Sequence, residues 1–577
     1  MKKGTQLFLE ALKEEGVDTI FGYPGGYVLD IFDELYKQNE IRLVLPRHEQ
    51  AAVHAADAYA RATGKVGVCL ATSGPGATNL VTGIANANYD SVPIVCFTGQ
   101  VPLELIGNDA FQEVDFIGIT RSVCKYGVMV RDRKDLGRII KEAFYIARTG
   151  KPGPVVVDLP SNIMKEMMKD SYPTEVYIRG YKPNEDVHIG QLKRAVKLLK
   201  EAKKPLFLCG GGINIAHANE VFLQLAEIVK IPVVTTVMGK GAIPTEHPLY
   251  VGSLGMHGCY AANKAVSQCD LLFSIGTRFN DRITGKISEF AKEAKIVHID
   301  IDTAAISRNI KVDIPVVADA KLAIEKMLTM VKQCDVKQWL EKIEDWKKEH
   351  PLFVKQGDKI NPQKIIEGIN HVYDDFIVVT DVGQHQMWTT QFLSLDSNKK
   401  LLTSGGLGAM GFGFPGAIGA QIACPKKQVI CITGDGGFQM NMAEMATAVA
   451  WELPIVILVL NNSFLGMVRQ QQQYFCEKHY YGTCLKERKS CHRASCTAPE
   501  QCPPYIPDFL KFAESYHVAG FRVTEESEIE QTLKEAAKTA QQNKAPVLVE
   551  FILERYDIVL PIVRHGGTLD NMILEQN

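Results

Sequence analysis

The sequence predicts an α/β protein built from three parallel-sheet domains, and three observations predict it. Apolar runs of strand length alternate with helical patterns along most of the chain. Polar or charged stretches interrupt that alternation twice. The length, 577 residues, exceeds what one core organises, so two to four domains are expected.

The first block, residues 1–166, has strand-length runs at 66–70, 93–98 and 154–159 and a helical pattern at 51–63. Strands separated by helices pair in parallel through right-handed crossovers. A polar stretch, 167–187, reads as a linker. Alternation resumes with PLFLCGGG (205–212), IPVVTTVMG (231–239), DLLFSIGTRF (270–279) and KIVHIDID (295–302), which gives a second domain over 187–330. Charged helices at 336–349 and then Pro351 lead to a third domain over 360–577, with strands in FIVVTDVG (376–383), QVICITGDG (428–436) and PIVILVLNN (454–462). No strong short-period repeat is visible.

The composition is that of an ordinary globular protein, 46% hydrophobic and 23% charged. The net charge of -2 lacks the basic excess that marks a nucleic-acid partner. The first 22 residues carry acidic groups throughout and no continuous apolar stretch, so they read as an amphipathic helix entering a strand rather than a signal peptide. No apolar run is long enough to span a bilayer, and a cytoplasmic location is the default expectation.

In open parallel sheets, ligands bind beyond the C-terminal ends of strands, and several polar or Gly-rich clusters fall there: SGPGATN (73–79), GDGG (434–437) and Asn461-Asn462. One strand delivers Asp435, a helix over about 438–451 crosses back, and the next strand delivers the two asparagines. A carboxylate and an amide oxygen at one sheet edge are hard ligands suited to Mg²⁺ with phosphate oxygens. The glycines let the backbone approach, and amides opening the following helix would receive the phosphates. A plain strand-ending turn explains GDG alone; it does not explain GDG, helix, apolar strand and NN in sequence. Glu49 lies between a strand and an Ala-rich helix, a position from which a carboxyl can serve in proton exchange. An acidic residue favoured by the helix dipole is the alternative for that position.

The GDG…NN pattern and PRHEQAA around Glu49 resemble the thiamine-diphosphate enzyme superfamily. Nearly the whole chain is similar to one of its families, the acetolactate (acetohydroxyacid) synthases. The similarity is carried by FGYPGG (21–26), SGPGATN, TGQVP (98–102) and GNDAFQEVD (107–115), then by LGMHG (254–258), TRFNDRITGK (277–286) and VHIDID (297–302). VGQHQMW (382–388), GGLGAMGFGFPGAIGA (405–420), LGMVRQ (465–470) and GGTLDNMI (566–573) continue it. The resemblance implies that the first and third domains bind thiamine diphosphate and that the middle one is of FAD-binding type, its FAD structural. Asp435, Asn462 and the Phe464 carbonyl are implied Mg²⁺ ligands, and Glu49 the activating carboxylate. Gly383, Gln384 and His385 with Gly434, Gly436 and Gly437 are implied at the diphosphate, and Gly466 and Met467 beside them. Gly408 and Met410 would bracket the pyrimidine, Met410 as an apolar wedge. Gln112 and Gly26 would approach the reacting carbon, and Arg282, beside Asp281, would hold the carboxylate of the second 2-oxoacid. Lys151, Gly210, Gly211, Gly212, Met256, His257, Gly276, Arg278, Asp300 and Asp319 match flavin-contacting segments. The implied reaction decarboxylates pyruvate and joins the two-carbon unit to a second pyruvate or to 2-oxobutyrate, giving 2-acetolactate, with branched-chain amino-acid biosynthesis as the favoured role. A homodimer or larger assembly is implied, because the activating Glu and the diphosphate site of one centre come from different subunits; a small regulatory subunit is common in the family. Another thiamine-diphosphate decarboxylase or oxidase, or a non-catalytic paralogue, are the alternatives.

Three positions depart from the family pattern. Gln471 stands where a Trp that narrows the second-substrate pocket is usual, Tyr27 where a small residue follows YPGG, and Lys151 where an Arg that contacts FAD is expected. A Cys-rich insertion at about 476–508 is the larger departure. Of 14 cysteines, nine are scattered, and among the other five Cys484, Cys491, Cys496 and Cys502, with His492 adjacent, could hold Zn²⁺ or an iron–sulfur cluster. Their spacing is not the C-x2-C of common zinc sites, and free thiols or disulfides are the alternatives. Lys486, Arg488, Lys489 and Arg493 make the segment basic, which favours thiolates.

Overall fold

The computed structural model describes residues 1–489, 491 and 502–575. Three six-stranded parallel sheets carry the architecture. The first holds Thr19–Gly22, Arg42–Val44, Gly67–Ala71, Ile94–Gln100, Tyr126–Met129 and Val155–Pro160. The second runs from Pro205–Cys209 to Ile314–Val317, and the third from Phe376–Thr380 to Val547–Ile552. Counted along the chain within each domain, the strands lie 2-1-3-4-6-5 in the first and third sheets and 3-2-1-4-5-6 in the second. The outer domains therefore share one topology, a repeat that sequence periodicity did not reveal. The middle domain has the strand order of dinucleotide-binding α/β folds.

The outer domains are fused along two helices. Glu49–Thr63 is Ala-rich and Gly413–Ala423 Gly-rich, so their backbones meet closely. A Cβ on Gly419 would lie 2.0 Å from the Ala55 carbonyl oxygen. Gly419→Ala is accordingly expected to force the helices apart and cost about 1–3 kcal/mol, read as a lowered Tm. Around the contact, Arg61 pairs with Asp57 (2.6 Å) and Asp90 (3.0 Å) and donates to the Thr403 carbonyl (3.0 Å). Ser404 Oγ donates to Asn86 Oδ1 at 2.6 Å.

His54 sits fully buried in the same interface, its ring edge-on to Phe412 and both ring nitrogens without partners. Burial, reinforced by Arg61, pushes its pKa down to about 3. The folded protein then binds fewer protons here than the unfolded chain does below pH 6.5, so stability is full above that pH and lost as pH falls towards 3. At pH 5 the loss amounts to about 2 kcal/mol. His54→Leu is expected to lessen the fall in Tm between pH 7 and pH 5; equal falls in both proteins would contradict this.

The middle domain docks through its loops. The buried Lys240 Nζ donates to the Thr390 carbonyl at 2.5 Å, and His257 Nδ1 lies 3.1 Å from the Pro561 carbonyl.

Candidate active site

Three neighbouring strands of the third sheet, Phe376–Thr380, Gln428–Gly434 and Val456–Asn461, end side by side. Their ends present Asp381 to His385, Asp435 to Gly437, and Asn461 with Asn462. The first two flank the point where strand order reverses, the usual ligand position in such sheets. Asp435 is buried, with Oδ2 lacking any hydrogen-bond partner, and burial pushes its carboxyl up to about 7. Asn462 Nδ2 donates to Gln384 Oε1 (3.0 Å) and its Oδ1 accepts from the Phe464 amide (3.1 Å). A divalent cation beside Asp435 would satisfy the orphaned oxygen.

The glycines are set by close approach. A Cβ on Gly466 would fall 2.0 Å from Gln384 Oε1 and 2.7 Å from Asn462 Nδ2. One on Gly437 would press on the Asp381 carboxylate at 2.8–3.0 Å, and one on Gly434 or Gly383 on the His385 ring at 3.0 Å. Gly436 faces Leu465 and, more distantly, Met410; Gly408 adopts φ +74. Met467 packs against the core beneath. His385 Nε2 is buried without a partner, and burial lowers that ring's pKa to about 4, keeping it neutral. The expected single helix over about 438–451 is broken: helix Asp435–Asn441, one 3₁₀ turn and helix Met445–Ala450 replace it. The turn aims Glu444 at the first domain, where its carboxylate accepts from the amides of Arg47 (2.9 Å) and His48 (3.0 Å).

That clamp holds the segment leading to Glu49. Glu49 opens its helix, half-buried, and its Oε2 accepts from Asn79 Nδ2 at 2.9 Å. The Gly76 and Gly74 turns lie beside it and beside Gln112. Gln112 adopts φ +61, an uncommon conformation for a side-chain-bearing residue and one that clusters at functional sites. Tyr27 Oη donates to the Phe111 carbonyl (3.2 Å), joining the Gly26 and Gln112 segments. The side-chain hydrogen bonds of Glu49 among the described residues stay within its own domain; none reaches Gly434 to Gly437.

In the middle domain the expected flavin residues follow the strand ends. Gly210 to Gly212 follow Pro205–Cys209, Gly276 and Arg278 follow Leu271–Ile275, and Met256 and His257 follow Tyr250–Ser253. The Gly210, Gly212 and Gly276 backbones touch, since a Cβ on Gly210 would lie 2.0 Å from the Gly276 oxygen. Asp300 ends its strand and Asp319 caps a helix through the Leu322 amide at 3.1 Å. Lys151 Nζ meets Asp302 at 3.3 Å. Arg282 is largely exposed, 3.7 Å from the Asp281 carboxylate.

Comparison with known proteins agrees with this layout. Residues 2–119, 192–327 and 381–551 match three thiamine pyrophosphate enzyme models, described as N-terminal TPP binding domain, central domain and C-terminal TPP binding domain. The chain is 45% identical to the probable acetolactate synthase large subunit of Methanocaldococcus jannaschii, covering 99% of this chain and 95% of that one. It is 40% identical to the acetolactate synthase isozyme 3 large subunit of Escherichia coli K12, covering 100% and 99%. The chain belongs to the acetolactate synthase large-subunit family. It is thus a thiamine-diphosphate-dependent enzyme with the three α/β domains of that family.

The Cys-rich segment expected as an insertion lies next to this edge. Its start pairs with the segment after Asn462: the Leu465 amide donates to the Thr483 carbonyl (2.8 Å) and the Leu485 amide to the Ser463 carbonyl (2.9 Å). Cys484 and Cys502 share one cation, accepting from Arg555 Nη2 (3.5 Å) and Nη1 (3.2 Å), while Cys491 Sγ accepts from the Arg488 amide. Among the described residues no group of three or more His, Cys, Asp or Glu is placed to hold a metal ion. Cys496, His492 and Arg493 lie outside the described residues. Sequence reasoning missed Asp381, which accepts from the amides of Val382 (2.7 Å) and Gly411 (2.9 Å), and whose carboxyl burial pushes up to about 6. An acidic residue ending an apolar strand was the available signal. It also missed Glu444 and Asn79, for which nothing local distinguishes a functional partner from a surface polar residue.

Proposed function

We propose that this chain decarboxylates pyruvate and joins the two-carbon unit to the keto carbon of a second pyruvate or of 2-oxobutyrate, giving 2-acetolactate and CO₂ for branched-chain amino-acid synthesis. The observation that carries the reading is the orphaned Asp435 oxygen at the end of a strand whose neighbour delivers Asn462, at the sheet edge of a thiamine-diphosphate enzyme; the Phe464 carbonyl is the third ligand that the family resemblance implies. Those three groups would hold Mg²⁺, with Gly383, Gln384 and His385 on the diphosphate. Thiamine diphosphate, when bound, supplies the electron sink for decarboxylation. Glu49 would exchange a proton with the aminopyrimidine through its carboxylate, kept in place by Asn79. Arg282 would orient the second 2-oxoacid by a bidentate contact. FAD would lie at the glycine turns of the middle domain, where the strand order reverses.

A homodimer completes the site in this reading. Glu49 and Asp435 share no hydrogen bond within the chain, and exposed apolar side chains such as Phe111, Leu407 and Met440 stand near both halves. The relatives are named large subunits, which supports a small partner subunit. A cytoplasmic location goes with the same reading; among the described residues no helix is long and apolar enough to cross a membrane.

The test is acetolactate formation from pyruvate by protein purified without oxygen and supplied with thiamine diphosphate, Mg²⁺ and FAD. Acetaldehyde or acetyl phosphate as the product would overturn the reading. Gln471 lies on the helix Gly466–Phe475 in place of the usual indole. Direct competition is therefore expected to favour 2-oxobutyrate over pyruvate by less than about tenfold, because the apolar wall that would supply about 1–3 kcal/mol of that bias is missing. A strong 2-oxobutyrate bias would contradict this.

A further inference from the structure

A cavity of about 310 Å³ opens at the C-terminal ends of the strands Val456–Asn461, Val547–Ile552 and Ala519–Val523. Asn462 turns towards Gln384, whereas its neighbours Asn461 and Ser463 line this second space. Its floor is the C-terminal edge of the sheet at Arg522, Glu550 and Ile552; the Cys-rich insertion contributes its roof through Lys486, Pro504 and Tyr505. Such an edge is where parallel sheets take ligands, and the volume suits a small metabolite.

Among the described residues, the charges there do not balance. Lys359, Lys486, Arg522 and Arg555 face two carboxylates, those of Asp508 and Glu550. Both carboxylates are already engaged. Arg522 donates to Glu550 Oε2 (2.8 Å) and pairs with Asp508 (3.1 Å), and Asn461 Nδ2 donates to Glu550 Oε1 (2.8 Å). Lys359, Lys486 and Arg555 are left without a carboxylate partner among the described residues. The terminal nitrogens of Arg555 donate to the thiols of Cys502 and Cys484, which are weak acceptors. Lys486 and Arg555 are half-buried, so bulk solvent screens them incompletely. Lys359 is held at the rim because the adjacent Ile360 bridges to Leu553.

We propose that this cavity is a binding site for a small dianion, of the phosphate or dicarboxylate type, between the sheet edge and the residues Lys486, Pro504 and Tyr505. Among the described residues the four cations exceed the two carboxylates by two, which matches a dianion, and a planar guanidinium with two ammonium groups suits an oxyanion. The occupant would be felt at the catalytic centre, because Tyr505 lines the cavity and its hydroxyl accepts from Gln439 Nε2 (2.8 Å) on the helix that begins at Asp435.

The test is calorimetric titration of the enzyme, saturated with thiamine diphosphate and Mg²⁺, with inorganic phosphate and separately with succinate at constant ionic strength. Saturating cofactor keeps either probe from reporting on the diphosphate site, and the readout does not depend on which reaction the enzyme catalyses. Saturable one-site binding of at least one probe is expected, weakened about tenfold or more in Lys359→Ala and in Lys486→Ala. Binding of phosphate alone assigns a phosphate ligand, and of succinate alone a dicarboxylate. Lys359 is exposed, so its variant is expected to fold and to retain cofactor binding, which keeps the comparison interpretable. Neither probe saturating the parent enzyme, or equal affinity in parent and both variants, overturns the proposal.

Discussion

Glu49→Gln is expected to lower acetolactate formation by about 10²–10⁴-fold, the usual worth of a positioned proton-transfer group. The substitution keeps the shape of the side chain and an oxygen for the Asn79 amide, while the backbone of the segment stays clamped by Glu444 at Arg47 and His48. Folding and cofactor affinity are therefore expected to be nearly unchanged. Steady-state rates with a parallel measurement of thiamine diphosphate binding check both halves. A variant that retains most of its activity would remove Glu49 from the proton transfer; one that loses cofactor binding would make its role structural.

Asp435→Ala is expected to abolish cofactor loading while leaving the cofactor-free protein folded. In the parent, the Asp435 carboxyl is buried with one oxygen unpartnered and its pKa pushed up to about 7, a cost that the cation would offset. Removing the carboxyl removes that cost and the ligand together. Mg²⁺ and thiamine diphosphate affinity should fall by more than the roughly 10–100-fold typical of losing an outer-sphere partner. The Tm of the cofactor-free variant should match or exceed that of the parent, and the rise in Tm that cofactor produces in the parent should disappear. A variant that still gains Tm from Mg²⁺ and thiamine diphosphate would show that the carboxylate is not the ligand.

Much of this protein was readable along the chain. Strand-length apolar runs ending in glycine, acid or amide announced both the parallel sheets and the edges where Asp435, Asn462 and Gly210 stand, because alternation and strand-end chemistry are local properties. Strand order was not readable. The shared 2-1-3-4-6-5 topology of the outer domains and the 3-2-1-4-5-6 order of the middle one arise from which strands pair, and pairing partners are dozens of residues apart. The broken helix after Asp435 was missed for the same reason: Glu444 is drawn to amides some 400 residues earlier in the chain.

The sequence by itself determined the family, the cofactor class and the residue types offered at each strand end, since these follow from short segments whose spacing is fixed by the backbone. Only the tertiary structure decided what those residues meet. It buried the Asp435 carboxylate with one oxygen lacking a hydrogen-bond partner, set Asn79 on Glu49, and put Arg555 between two thiols that had read as metal ligands. The physical reason is that burial and charge pairing are properties of position in space, created when distant segments exclude water around the same point.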